Sequence, residues 1–202
     1  MCNHYRNNPE ELSTWREYIG WDPINDEYSE IRIDVWPRRP GVIARIEDGQ
    51  KKMDAMTWGV PCQMPGKRPG TKITKHVTNV RNLSSFFWKS MLATPSRRCL
   101  VPFTSFAEPK PGTDPETGRP AEHWFTVNER PVAAFAGIWR PTEVGNAYAF
   151  LTCEPNPLVA PLHPKAMPVI LQPEDYDRWL DGEAADACSL AQPFPSQLMT
   201  VG

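Results

Sequence analysis

The sequence predicts an α+β fold with a mixed, barrel-like β core and a few flanking helices, and three observations carry that prediction. Seven short runs rich in β-branched and aromatic residues recur between turn signals: GVIARI, AMTWGV, RCLVPF, HWFTV, PVAAFAGIW, AYAFLTC and MPVIL. The chain holds 23 prolines against 12 glycines, a balance that favours rigid turns and edge strands over long helices. With 202 residues and 40% hydrophobic content it can bury a full core, and one domain over residues 1–202 is the expected organisation.

The elements follow in order. In EELSTWREYIG, Leu12, Trp15 and Ile19 fall on one helical face and Gly20 ends the run. Most of the strands come next, interrupted by a second helix over LSSFFWKSML with Ser84 or Ser85 near its start. PKPGTDPETGRPAE reads as an exposed loop between strands of one sheet. A third helix covers PEDYDRWLDG, with Pro173 early and Gly182 beyond its end.

Composition narrows the function classes. No stretch of about 18 apolar residues is present, and MCNHYRNNPE is polar from its start, so neither a membrane span nor a signal peptide is expected and the cytoplasm is the expected compartment. The five cysteines are odd in number, widely spaced and lack a C-x-x-C pair. Cys2 and His4 offer two ligand types, but no second close pair completes a tetrahedral site, so no metal and no cofactor is expected.

The net charge of −2 hides a strong segregation. Between Pro37 and Arg98 stand 13 Lys/Arg against three acids, while the remainder carries nine basic against 21 acidic residues. A phosphate-binding face on an otherwise acidic body has this pattern, as does a solvated basic surface without a partner. The candidate contacts are Arg38, Arg39, Lys67, Arg68, Lys72, Lys75, Arg81, Arg97 and Arg98.

Cys2 carries the most specific chemistry. A methionine before so small a side chain is normally trimmed, which would leave an N-terminal cysteine with amine and thiol on adjacent carbons. An unperturbed α-amine titrates at about 7.7–8.0 and a thiol near about 8.5, so both nucleophiles are available near neutral pH. With an aldehyde the amine forms a Schiff base that the sulfur closes to a thiazolidine. Taken alone, Cys2 is equally the plain second residue of a chain.

Four pieces occur in order: MCNHY, TNVRNLSS, RRCLVPFTSFAEP and LTCEPNPLVAPLHPKAMPVIL, with Trp58-Gly59 and AFAGIW between them. Together they resemble the SOS response-associated peptidase family over nearly the whole chain. The resemblance implies a sensor of abasic sites in single-stranded DNA that joins the ring-opened sugar aldehyde to Cys2, after removal of Met1, as a thiazolidine crosslink. It implies a monomer, nucleoid-associated when bound to DNA, and makes Cys2, Asn79, Glu108 and His163 the site, with Arg81 on a phosphate. Glu108 lies among Phe103, Phe106 and Ala107, where desolvation would raise its pKa into the range for proton exchange. His163 would serve as a base in opening the sugar ring.

Each position has a plainer reading: Asn79 or Asn82 as a helix cap, Glu108 as a surface glutamate, His163 as a turn histidine. His4, His76 and His123 read as structural or surface residues. The family's usual Met-Cys-Gly-Arg start is Met-Cys-Asn-His here, and the tryptophan relatives often carry after Trp58-Gly59 is missing, which removes an expected stacking residue at the lesion. Two rivals remain at this level: an N-terminal-nucleophile cysteine amidohydrolase or peptidase, and a non-covalent reader of modified DNA.

Overall fold

The structure, a computed structural model, describes residues 2–23 and 33–202. The chain opens with β1 (His4–Arg6) and α1 (Pro9–Ile19). Asn8 caps the helix through its side chain, which accepts from the Glu10 and Glu11 amides, and Pro9 needs no such partner. Leu12 and Trp15 are buried on the expected face, and Gly20 stops the helix in a left-handed conformation (φ 67°).

Short strands β2 (Asp22–Pro23) and β3 (Asp34–Val35) precede the hairpin of β4 (Pro40–Glu47) and β5 (Gln50–Trp58). A second hairpin, β6 (Val60–Pro65) with β7 (Lys72–Val77), leads into β8 (Asn79–Val80) and α2 (Phe86–Ala93). Then come β9 (Arg98–Phe103), β10 (Ser105–Thr113), β11 (Pro120–Val127), β12 (Ala133–Thr142) and β13 (Gly145–Cys153). The chain finishes through β14 (Met167–Pro168), β15 (Ile170–Leu171), α3 (Tyr176–Asp181), α4 (Ala184–Ser189) and β16 (Met199–Val201).

The barrel-like core is a ring of five strands. β5, β4, β9, β12 and β13 neighbour one another in that order, each step antiparallel. An odd ring cannot close with antiparallel pairs alone, and the closure is parallel: Ala147 and Tyr148 of β13 register with Thr57 and Trp58 of β5. A five-stranded sheet in the order β16-β11-β10-β1-β3 joins this barrel. The hairpin β6–β7 stands apart as its own two-stranded ribbon.

Aromatic rings weld the two sheets. Tyr5 of β1 meets the barrel's Trp58 edge-on at 5.2 Å, and Phe106 of β10 meets Phe103 and Phe135 edge-on, each at 5.9 Å. Such pairs add about 0.5–1.5 kcal/mol each beyond their buried area. The hydroxyls of Tyr5 and Tyr148 hydrogen-bond inside this core, and Gly41 lies against both. A methyl at Gly41 would collide with the two oxygens, so Gly41→Ala is expected to destabilise the protein by about 2–3 kcal/mol. Urea denaturation measures this, and unchanged stability would mean that the tyrosine pair can move aside.

Two local expectations are corrected. The loop read over PKPGTDPETGRPAE is mostly strand: β10 runs to Thr113 and β11 starts at Pro120, with a register shift between Pro109 and Thr113 absorbing the prolines. AMTWGV is not one strand, because Gly59 (φ 123°) breaks it and Val60 begins the ribbon.

Candidate active site

Strand alternation builds the pocket. β1 pairs with β10 so that His4 opposes Ala107, which sets the next residue, Glu108, beside the start of β1 and hence beside Cys2. Phe106 and Glu108 are two apart on one strand and share its inner face, so the carboxyl goes where the phenylalanine goes, into the core. Glu108 is 0% exposed and Cys2 1%. Burial pushes Glu108 up to about 7, and it pushes the Cys2 thiol far above its ordinary range, with the charge of Glu108 adding to the effect.

β8 supplies Asn79. It lies parallel to β13, with Asn79 in register with Phe150, and the Asn79 amide donates to the Cys2 carbonyl at 3.0 Å and to Thr78 Oγ1 at 2.7 Å. Asn79 Oδ1 is buried with no hydrogen-bond partner among the described residues. Asn79 is therefore no helix cap; Asn82 makes the turn before α2 by accepting from Ser84.

His163 arrives from the turn between β13 and β14. Buried Asn156 organises that turn, accepting from the Leu158 and Val159 amides and donating to the Phe194 carbonyl. The His163 Nδ1 donates to the Ala166 carbonyl at 2.8 Å and lies 3.5 Å from Glu108 Oε2. Burial holds the imidazole below its ordinary pKa. A neutral ring with its proton on Nδ1 presents Nε2 as an acceptor.

Cys2, Asn79, Glu108 and His163, scattered over 162 positions of sequence, thus meet where β1, β8, β10 and the turn after β13 come together. The assembly can hold the backbone of residue 2, take a proton from a neutral thiol, and return it nearby. Met1, whose removal would free the Cys2 amine, lies outside the described residues.

The basic candidates separate. Arg38, Arg39, Lys67, Arg68, Lys72 and Lys75 are exposed, the last four on or beside the β6–β7 ribbon. Arg81 donates to the Cys153 carbonyl at 2.8 Å and pairs with Glu154. Arg97 is half-buried, its guanidinium 4.6 Å from the Trp139 ring centre. Arg98 corrects its assignment as a DNA contact: at 1% exposure it points inward and donates to the Gly182 carbonyl at 2.6 Å, because it occupies an inward position of a fully buried strand.

Sequence reading missed two residues. Thr152 follows Phe150 on the same strand face, with Oγ1 buried and without a partner among the described residues. Of the structural and surface readings of His4 the structural one applies, and what the sequence left out is its partners: the ring is buried, with Nδ1 2.9 Å from Glu122 Oε2 and Nε2 2.9 Å from Asp34. Neither carries a sequence signal, since their neighbours come from separate strands.

Among the described residues no group of three His, Cys, Asp or Glu could hold a metal ion, and no helix is long and apolar enough to cross a membrane.

A sequence profile of the family described as SOS response associated peptidase (SRAP) matches residues 1–202. Among curated proteins no sequence matches significantly. A solved structure from Bordetella bronchiseptica is similar at 24% identity and TM-score 0.73, covering 100% of this chain and 98% of that one. One from Bacteroides thetaiotaomicron is similar at 19% identity and TM-score 0.76, covering 99% and 90%. A phage-related protein from Bordetella bronchiseptica is similar at 18% identity and TM-score 0.66, covering 100% and 92%.

Proposed function

This chain belongs to the SOS response-associated peptidase family, and on that premise we propose that it captures abasic sites in single-stranded DNA through Cys2. The observation that carries the reading is the buried Cys2, its carbonyl held by Asn79 and its thiol beside a carboxyl poised near neutrality.

With Met1 removed, the Cys2 amine adds to the open-chain sugar aldehyde and the carbinolamine loses one water to give an imine. The thiol then adds to the imine carbon, its proton passing to nitrogen, and a five-membered thiazolidine results. One water leaves and no cofactor takes part. The raised thiol pKa sets the order: a neutral sulfur is the poorer first nucleophile, so the amine attacks first. Glu108 in its acid form protonates the departing hydroxyl, and as carboxylate it takes the thiol proton during ring closure. His163, with Nε2 as acceptor, assists opening of the sugar ring. A lesion sugar must leave a stacked strand to reach a buried sulfur, which favours single strands over duplex.

The test is incubation with a single-stranded oligonucleotide bearing one abasic site, read by denaturing gel and intact mass. The expected product has the mass of the protein lacking Met1 plus oligonucleotide minus water. No adduct from processed protein refutes the reading and turns attention to amide substrates. The exposed ribbon supplies the phosphate contacts. Lys75→Ala is expected to lower the salt slope of oligonucleotide binding by about 0.7, one phosphate contact on a single strand. Arg98→Met, buried in the core, is expected to leave that slope unchanged; a titration from low to moderate salt distinguishes the two.

A further inference from the structure

The outer face of the five-stranded sheet carries an aromatic column that the capture chemistry does not use. His4 and Arg6 alternate with the inward Tyr5 on β1. The His4 ring stacks under Trp36 at 3.7 Å between centroids and 19° between planes, and its edge meets Trp124 at 4.7 Å. Carboxylates at both ring nitrogens pin His4, so the indole above it rests on a fixed base. Trp36 is nonetheless 37% exposed.

The turn that holds Trp36 is equally constrained. Pro37 follows it, the Arg39 amide donates back to the Trp36 carbonyl at 3.0 Å, and Arg38 adopts a left-handed backbone (φ 66°), unusual for a residue with a side chain. Strain of that kind costs on the order of 1–3 kcal/mol and persists where surrounding structure over-determines it, often at ligand sites. Here the Trp58 backbone does so, accepting from the Arg38 amide at 2.7 Å and donating to the Arg39 carbonyl at 2.9 Å. The turn is tied to Cys2 from two sides. His4 stands two residues from Cys2; and the Trp58 indole donates to the Thr78 carbonyl, next to Asn79, which holds the Cys2 carbonyl. Arg38 and Arg39 are exposed and form no ion pair with any described residue.

We infer that the Trp36–Arg39 turn is a nucleotide site next to the lesion, in which a neighbouring base stacks on the open face of Trp36 and Arg38 and Arg39 hold its phosphates. An indole for the base with adjacent guanidiniums for the backbone is the pairing single-stranded nucleic acid requires. The inference rests on the capture reading, and Trp36 acts as a positioning residue. It offers a stacking surface although tryptophan is missing after Trp58-Gly59.

The experiment compares two sets of oligonucleotides carrying one abasic site, with either a normal base or a base-less spacer at the position before or after it. Capture rate is followed against oligonucleotide concentration. For the wild type, replacing the stacking base with a spacer is expected to raise the half-saturating concentration roughly ten-fold while leaving the saturated rate unchanged. Trp36→Ala is expected to abolish that difference and Trp36→Phe to restore most of it. Wild-type capture indifferent to both neighbouring bases overturns the inference without needing any variant, as does full base dependence in Trp36→Ala. Absence of any adduct in the wild type refutes capture itself, a different result.

Discussion

Cys2→Ala is expected to form no heat-stable adduct with an abasic oligonucleotide, a loss of the whole signal on a denaturing gel. The variant keeps an N-terminal amine, so it can still form an imine, and borohydride should trap that imine as a reduced adduct of low yield. What it lacks is the sulfur that closes the ring. Cys2→Ser should behave similarly, because a hydroxyl is a weaker trap than a thiol. A heat-stable adduct in Cys2→Ala, without reductant, would refute the thiazolidine. Non-covalent binding of an intact oligonucleotide should change little, since Cys2 is buried and the exposed basic residues are untouched.

Glu108→Gln is expected to slow capture by about 10²–10⁴-fold, the range for loss of a positioned proton-transfer group. Glutamine keeps the shape and the hydrogen-bonding capacity of the carboxyl but exchanges no proton. The wild-type rate should show a pH limb near 7, where Glu108 titrates, and the variant should lack it. Stability gives an independent reading with a definite sign. The Glu108 pKa is raised from 4.5 to about 7 by burial, so the folded chain holds this proton more tightly than the unfolded one. Below the unfolded value the carboxyl is neutral in both states and nothing is lost. Between 4.5 and about 7 the unfolded chain has shed this proton while the fold retains it, so stability falls by roughly 3 kcal/mol across that window, and the loss is complete once pH passes 7 and the fold holds a carboxylate in a dry site. Urea denaturation at pH 4 and pH 8.5 should therefore show wild type and Glu108→Gln alike at the lower pH, with the variant more stable at the higher. Equal stabilities at both would mean the carboxyl is not desolvated.

The local elements were largely legible because short-range rules decide them. Asn8, Pro9 and Gly20 bound α1 by capping chemistry that is written in adjacent residues. RCLVPF is buried along its whole length, as a continuous apolar run with β-branched and aromatic members should be. The ribbon of β6 and β7 carries no sequence signal because most of its length is exposed, so its residues show neither alternation nor an apolar run; Met64 and Ile73 face each other there, both exposed.

The sequence by itself determined the fold class, the segregation of basic charge, and the chemistry available at Cys2, because composition, periodicity and the order of motifs are properties of the chain. Only the tertiary structure decided which charges are surface and which are core, and which distant residues meet. Arg98 and Arg97 are adjacent in sequence, yet Arg98 begins the fully buried β9 while Arg97 ends the turn before it and lies half-buried against Trp139. Glu108 titrates near 7 because β1 and β10 pair in one register; a slip of a single residue would turn the carboxyl to the outer face and into water.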